Sequence, residues 1–160
     1  MSNAATAWLA AARDPRIAGA LESIYTDVSA AIQARGPACW ASGRCCDFEK
    51  TGHRLYVTGL EAAYCVTRLT PSHPTLTQLT INQARERGGC PFQVNNLCGV
   101  HAIKPLGCRV YFCDRSAQQW QQDLSERMHG AIKALHEREQ VEYRYAEWRE
   151  LLEALSRSEG

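Results

Sequence analysis

Cys90-Pro-Phe-Gln-Val-Asn95-Asn96-Leu-Cys98-Gly-Val-His101-Ala-Ile-Lys104-Pro105-Leu-Gly107-Cys108-Arg109-Val-Tyr-Phe-Cys113 is the stretch on which the reading of this chain turns. It is rich in Gly, Pro and Asn and keeps neither a helical nor an alternating period, so it reads as loops and turns held by something other than an apolar face. Its cysteines are soft donors at turn-like spacings, and a metal would supply the missing organisation. Asn95-Asn96 suits a two-residue hairpin turn, because asparagine tolerates positive φ. In that register Cys90 lies opposite His101 and Cys98 faces the other side, which makes His101 a candidate nitrogen ligand.

Regular helices are expected on both sides. Upstream, a helix from about Thr75 to Arg87 should stop at Gly88-Gly89, and Thr58-Gly-Leu-Glu61 reads as a capping box opening a helix through Leu69. The run His53 to Val57 alternates briefly and predicts a short strand. Further back, Asp14-Pro15 is a good helix start; Ile17, Leu21, Ile24, Tyr25, Val28 and Ile32 recur at helical spacing until Gly36-Pro37. Downstream, Trp120, Leu124, Met128, Ile132 and Leu135 mark one helix, and Trp148, Leu151, Leu152 and Leu155 another. The expected fold is a mainly α, small helical domain with a loop-rich cysteine knuckle and at most one short β-hairpin. It divides into an N-terminal helix over 14–35, a cysteine-cluster core over 39–113 and C-terminal helices over 116–156, all in one domain over 1–160.

At 160 residues and 45% hydrophobic content, the chain can bury a core without staples. Eight cysteines exceed ordinary usage, so disulfides or a metal must account for them. Met1 to Arg13 is Ala-rich, with no basic start or apolar run of the kind a signal or anchor needs, although Ser2-Asn3-Ala4 resembles a protease-cleavage scar. A reducing, cytoplasmic setting and free thiols are therefore expected. The net charge of +1 gives no global field for nucleic acid or an anionic membrane, and neither is an expected partner. Cations do gather near the cysteines: Arg35, Arg44, Lys50, Arg54, Lys104, Arg109 and Arg115. Such charges would offset a thiolate-rich centre.

The first cysteine cluster is Cys39-Trp-Ala-Ser42-Gly43-Arg44-Cys45-Cys46. Adjacent Cys45 and Cys46 do not aim readily at one point, so the pair is expected to split between primary ligation and another role. Together the two clusters resemble the YkgJ-type family of zinc- or iron-chelating proteins. That family carries C-x-x-C-x-x-C-C and a later block like C-P-[FL]…C-x-[IV]-[YH]-x-x-R-P-x-x-C-R-x-[FY]. The first cluster matches at Cys39, Cys45 and Cys46, with Ser42 where the family has its second cysteine. The later block matches at Cys90, Pro91, Phe92, Cys98, Val100, His101, Pro105, Cys108, Arg109 and Tyr111, with Lys104 replacing the usual arginine. The resemblance spans about half the chain and implies metal chelation, with zinc and an iron–sulfur cluster both open. Serine is a poor ligand for either, and lysine gives up arginine's bidentate fork.

The site residues expected from this reading are Cys39, Cys45, Cys46, Cys90, Cys98, Cys108 and Cys113, holding zinc or an iron–sulfur cluster in a structural or redox role. Cys46, Cys90, Cys98 and Cys108 are the main candidates. Cys65 lies outside the motif and is expected to pack as a small hydrophobe. Two other functions remain open: a metal-dependent enzyme or oxidoreductase, and a metal carrier or storage module. There is no glycine-rich nucleotide loop, Gly-x-Ser-x-Gly elbow or His-Glu-x-x-His pair to argue for a specific enzyme class. His129 and His136 stand two turns apart on one helix face and read as packed or solvated histidines.

Overall fold

Asp14 opens the long helix as its sequence suggests. Its side chain accepts a hydrogen bond from the Arg16 backbone amide, Pro15 takes the first helical position, and Gly36 ends the helix at φ +64°. The computed structural model describes residues 2–36, 54–111 and 115–159. In chain order these form α1 (Ser2–Arg13), α2 (Pro15–Arg35), β1 (Tyr56–Thr58), α3 (Gly59–Thr67), α4 (Gln78–Glu86), β2 (Gln93–Val94), β3 (Leu97–Cys98), α5 (Leu106–Arg109), a 3-10 turn (Arg115–Ala117), α6 (Gln118–Arg138), β4 (Tyr145–Glu147) and α7 (Trp148–Glu159). The described chain is mainly helical, with two short antiparallel strand pairs.

The core is built around α3. Eight of its nine residues, Gly59 to Val66, are buried. The capping box forms: the Glu61 amide donates to Thr58 Oγ1 at 3.3 Å, and the Thr58 amide donates back to the Glu61 carboxylate at 3.2 Å. Helices α1 and α7 pack on α3 and on each other, α2 packs on α6, and α4 packs on α7. The apolar stripes read from sequence face inward: Leu21, Tyr25, Val28, Leu124, Ile132, Leu135, Trp148, Leu151, Leu152 and Leu155 are all buried.

Three features depart from the sequence reading. The Ala-rich start, assigned no element from sequence, forms α1, which carries Trp8 into the core at 0% exposure, and the Trp8 indole donates to the Glu142 carbonyl at 2.9 Å. Its ring lies against Gly59, where an added Cβ would come within 2.2 Å of it, so only glycine fits there. The strand expected over 53–57 occupies Tyr56–Thr58, and His53 lies outside the described residues. Its partner is β4, not a neighbouring hairpin strand, with Val57 opposite Ala146. Such a pairing leaves no local turn signal to read. The helix expected over 75–87 is shorter, Gln78–Glu86, because Thr77 accepts from the Thr80 amide and caps it. No helix among the described residues is long and apolar enough to cross a membrane.

Candidate metal centre

The segment between α4 and α6 carries the later cysteine block. Gly88 stops α4 with φ +72°, as the Gly-Gly pair suggests, and the Gly89 amide bonds back to the Ala84 carbonyl at 2.8 Å. Strands β2 and β3 follow, joined through Asn95 and Asn96 at φ +51° and +64°. Both positive angles are those of a type I′ turn, so the expected hairpin forms. Gln93 pairs with Cys98, and the Gly99 amide donates to the Phe92 carbonyl at 2.8 Å in the same register. The strand pairing ends at Gln93–Cys98, three residues short of bringing Cys90 opposite His101. Cys90 is buried, whereas His101 is exposed in a turn. The Lys104 charge is the main cause holding the His101 ring below its ordinary pKa, followed by burial and by Arg109.

Cys90 is 4% exposed, and its sulfur accepts the Trp148 indole N–H at 3.3 Å. Trp148 in turn packs on Phe92, with ring centroids 6.0 Å apart. Cys98, on β3, and Cys108, on α5, are half-buried and packed against the core. Cys65 is fully buried on α3, as its hydrophobic role requires. Burial pushes its thiol well above the usual range, and the neighbouring Cys90 and Cys98 push it further. The buried helix cysteine and two motif cysteines therefore share one electrostatic neighbourhood, which their distance in sequence did not suggest.

Three guanidinium groups hold the backbone of this segment. Arg149 donates to the Gly89 carbonyl at 3.4 Å and Arg87 to the Cys90 carbonyl at 2.7 Å. Arg109 donates to the carbonyls of Lys104 and Ala102 at 2.7 and 3.1 Å, with its guanidinium 3.8 Å from the Tyr25 ring centroid. Arg109 belongs to the cations that lie near the cysteines in sequence, whereas Arg149 reaches this segment only through the fold. Arg149 is only 4% exposed and also pairs with Glu147 at 2.8 Å. Arg35 instead reaches the Ser116 carbonyl and stands 6.0 Å over Trp120. The second role of Glu61 also escapes sequence reasoning. Beyond its capping bonds, its Oε1 accepts from Tyr25 OH at 3.1 Å and from the Leu106 amide at 2.8 Å. One buried carboxylate thereby ties the start of α5, two residues before Cys108, to α2 and α3.

Cys39, Cys45, Cys46 and Cys113 lie outside the described residues, as do Ser42, Arg44 and Lys50. Among the described residues no three His, Cys, Asp or Glu side chains are grouped to hold a metal ion. Cys90, Cys98 and Cys108 alone are therefore not a sufficient donor set, and the ligand set named from sequence needs thiols from the other segments. The chain was compared with family models, curated proteins and solved structures. None of the three comparisons returned a match.

Proposed function

We propose that the chain is a metal-binding protein in which Cys90, Cys98 and Cys108, joined by thiols from Cys39, Cys45, Cys46 and Cys113, supply one cysteine-rich centre for zinc or an iron–sulfur cluster. The observation that carries this reading is the guanidinium-held segment. From Gly89 to Arg109 there are only two two-residue strands and one four-residue helix, yet Cys90, Phe92, Val100, Ile103 and Leu106 are buried. Arg87, Arg109 and Arg149 bring positive charge to its backbone. A buried loop with so little regular structure needs cross-links of another kind, and thiolate ligation beside fixed cations meets that need. The Trp148 N–H on the Cys90 sulfur is a donor of the sort that stabilises a thiolate.

A zinc centre would contribute folding free energy to the loop, and an iron–sulfur centre would add a one-electron couple. A thiolate-rich centre of this kind suits a reducing compartment, and the cytoplasm is the proposed location. A metal-dependent enzyme is the second reading, favoured by a single observation: Gly107 and Val110, which flank Cys108 and Arg109, line a cleft of about 550 Å³.

Anaerobic purification followed by elemental analysis and a visible spectrum tests the proposal. One equivalent of zinc in a colourless protein, or iron with acid-labile sulfide in a brown one, is the expected result. A chain that retains neither metal, with all its thiols titratable, would overturn it.

A further inference from the structure

The cleft beside α5 narrows into a second chamber of about 210 Å³. The two share Tyr56, Gly107, Ser125, Glu126 and Tyr145 as walls, so they form one continuous recess. Tyr56 and Tyr145, on the paired strands β1 and β4, are 45% and 50% exposed although they are large and aromatic. Their ring centroids lie 5.8 Å apart with a 33° tilt, which makes a two-ring platform, not a slot between rings. His129 is set edge-on to Tyr145 at 4.6 Å, and its Nε2 is engaged by the Tyr143 hydroxyl at 2.7 Å. Tyr56, Tyr145 and His129 all line the narrow chamber, so the platform faces the recess with the imidazole beside it.

The charge along the recess is uneven. Arg54 stands at the wide end. Among the described residues the narrow chamber is lined by two carboxylates, Glu61 and Glu126, by one imidazole, His129, whose Nε2 is engaged by the Tyr143 hydroxyl, and by no lysine or arginine. Glu61 already accepts four hydrogen bonds, so it acts there as a fixed negative field. That field reaches the rings: burial first, then Glu61, pushes the hydroxyls of Tyr143 and Tyr145 above their ordinary range. Glu126 is exposed and accepts from the Gln122 amide at 3.1 Å, which leaves its second oxygen for a ligand.

We infer that the narrow chamber is a binding site for a small organic cation, whose positive group lies over the Tyr56–Tyr145 platform beside Glu126. Aromatic faces attract a desolvated cation through the ring quadrupole, and a carboxylate alongside adds the Coulombic part. A weakly hydrated head such as a quaternary ammonium fits this chemistry better than a bare metal ion, because Glu61 has no free oxygen to ligate one. The site does not depend on which metal the cysteines hold.

The test compares choline with 3,3-dimethylbutan-1-ol, which has the same shape and no charge, by saturation-transfer NMR and calorimetry on the full chain. Choline should bind about tenfold or more tightly than the alcohol. Glu126→Gln, an exposed change on α6, should abolish most of that preference, and Tyr145→Leu should weaken choline while circular dichroism stays unchanged. Equal binding of the two probes, no choline binding up to about 10 mM, or an undiminished preference in Glu126→Gln would each overturn the inference.

Discussion

The helical scaffold and the cysteine loop are stabilised by different means. In α1, α3 and α7 the buried face and the tertiary partner agree: Trp8, Leu60 and Leu151 are nearly inaccessible and each sits on a regular helix. Between Gly89 and Arg109 most of the buried residues sit on turns, and the Gly89 and Cys90 carbonyls accept from arginine side chains, Arg149 on α7 and Arg87 just past the end of α4. The contrast teaches that burial alone does not identify what holds a segment. The scaffold should fold on hydrophobic burial, whereas the loop should depend on its side-chain clamps and on the proposed thiolate centre.

The largest way to break the comparison is to damage the scaffold itself. Trp8→Ala removes a fully buried indole and its bond to the Glu142 carbonyl and should cost about 3–5 kcal/mol, read by urea denaturation. The loss should persist when metal is removed by a chelator. A cost that vanished on chelation would mean that scaffold and loop are one cooperative unit. Next comes Arg149→Met, which strips the Gly89 carbonyl of its clamp and leaves Glu147 without its ion pair. We expect a loss of about 2–3 kcal/mol together with weaker metal retention, because the altered backbone leads directly into Cys90.

Smaller effects sharpen the division. Cys65→Ala should cost about 1–2 kcal/mol through lost packing and leave metal content unchanged in elemental analysis. Loss of the metal in that variant would move Cys65 from the scaffold to the centre. His136 offers the mildest probe. It is buried, its Nδ1 faces the carbonyls of Val141 and Glu142, and its Nε2 has no partner among the described residues. Burial is the main cause that lowers its pKa, so the folded state favours the neutral ring. The linked stability is complete above the unfolded value near 6.5 and is lost as the pH falls from there toward the depressed folded value. His136→Leu should flatten that part of the stability profile, by at most about 1.4 kcal/mol per pH unit.

What the sequence made legible was local. Asp14, Gly36, the Thr58–Glu61 box, Gly88 and the Asn95-Asn96 turn each act on backbone within a few residues, and each performs the expected role. The interactions it hid are long-range. Nothing near Trp8 announces Gly59, nothing near Tyr56 announces Tyr145, and Arg149 carries no sign that it will meet Gly89. The candidate centre was legible as a cysteine pattern but not as a geometry. Sequence placed Cys65 outside the motif, and only the fold brings it into the electrostatic reach of Cys90 and Cys98.

Amide hydrogen exchange with and without a chelator tests most directly whether a metal organises the loop. Metal removal should raise exchange of the amides from Cys90 to Val110 by about 100-fold or more while those of α3 and α7 stay protected. Unchanged protection across the loop would contradict the account, because the arginines and the apolar residues would then hold it without any metal.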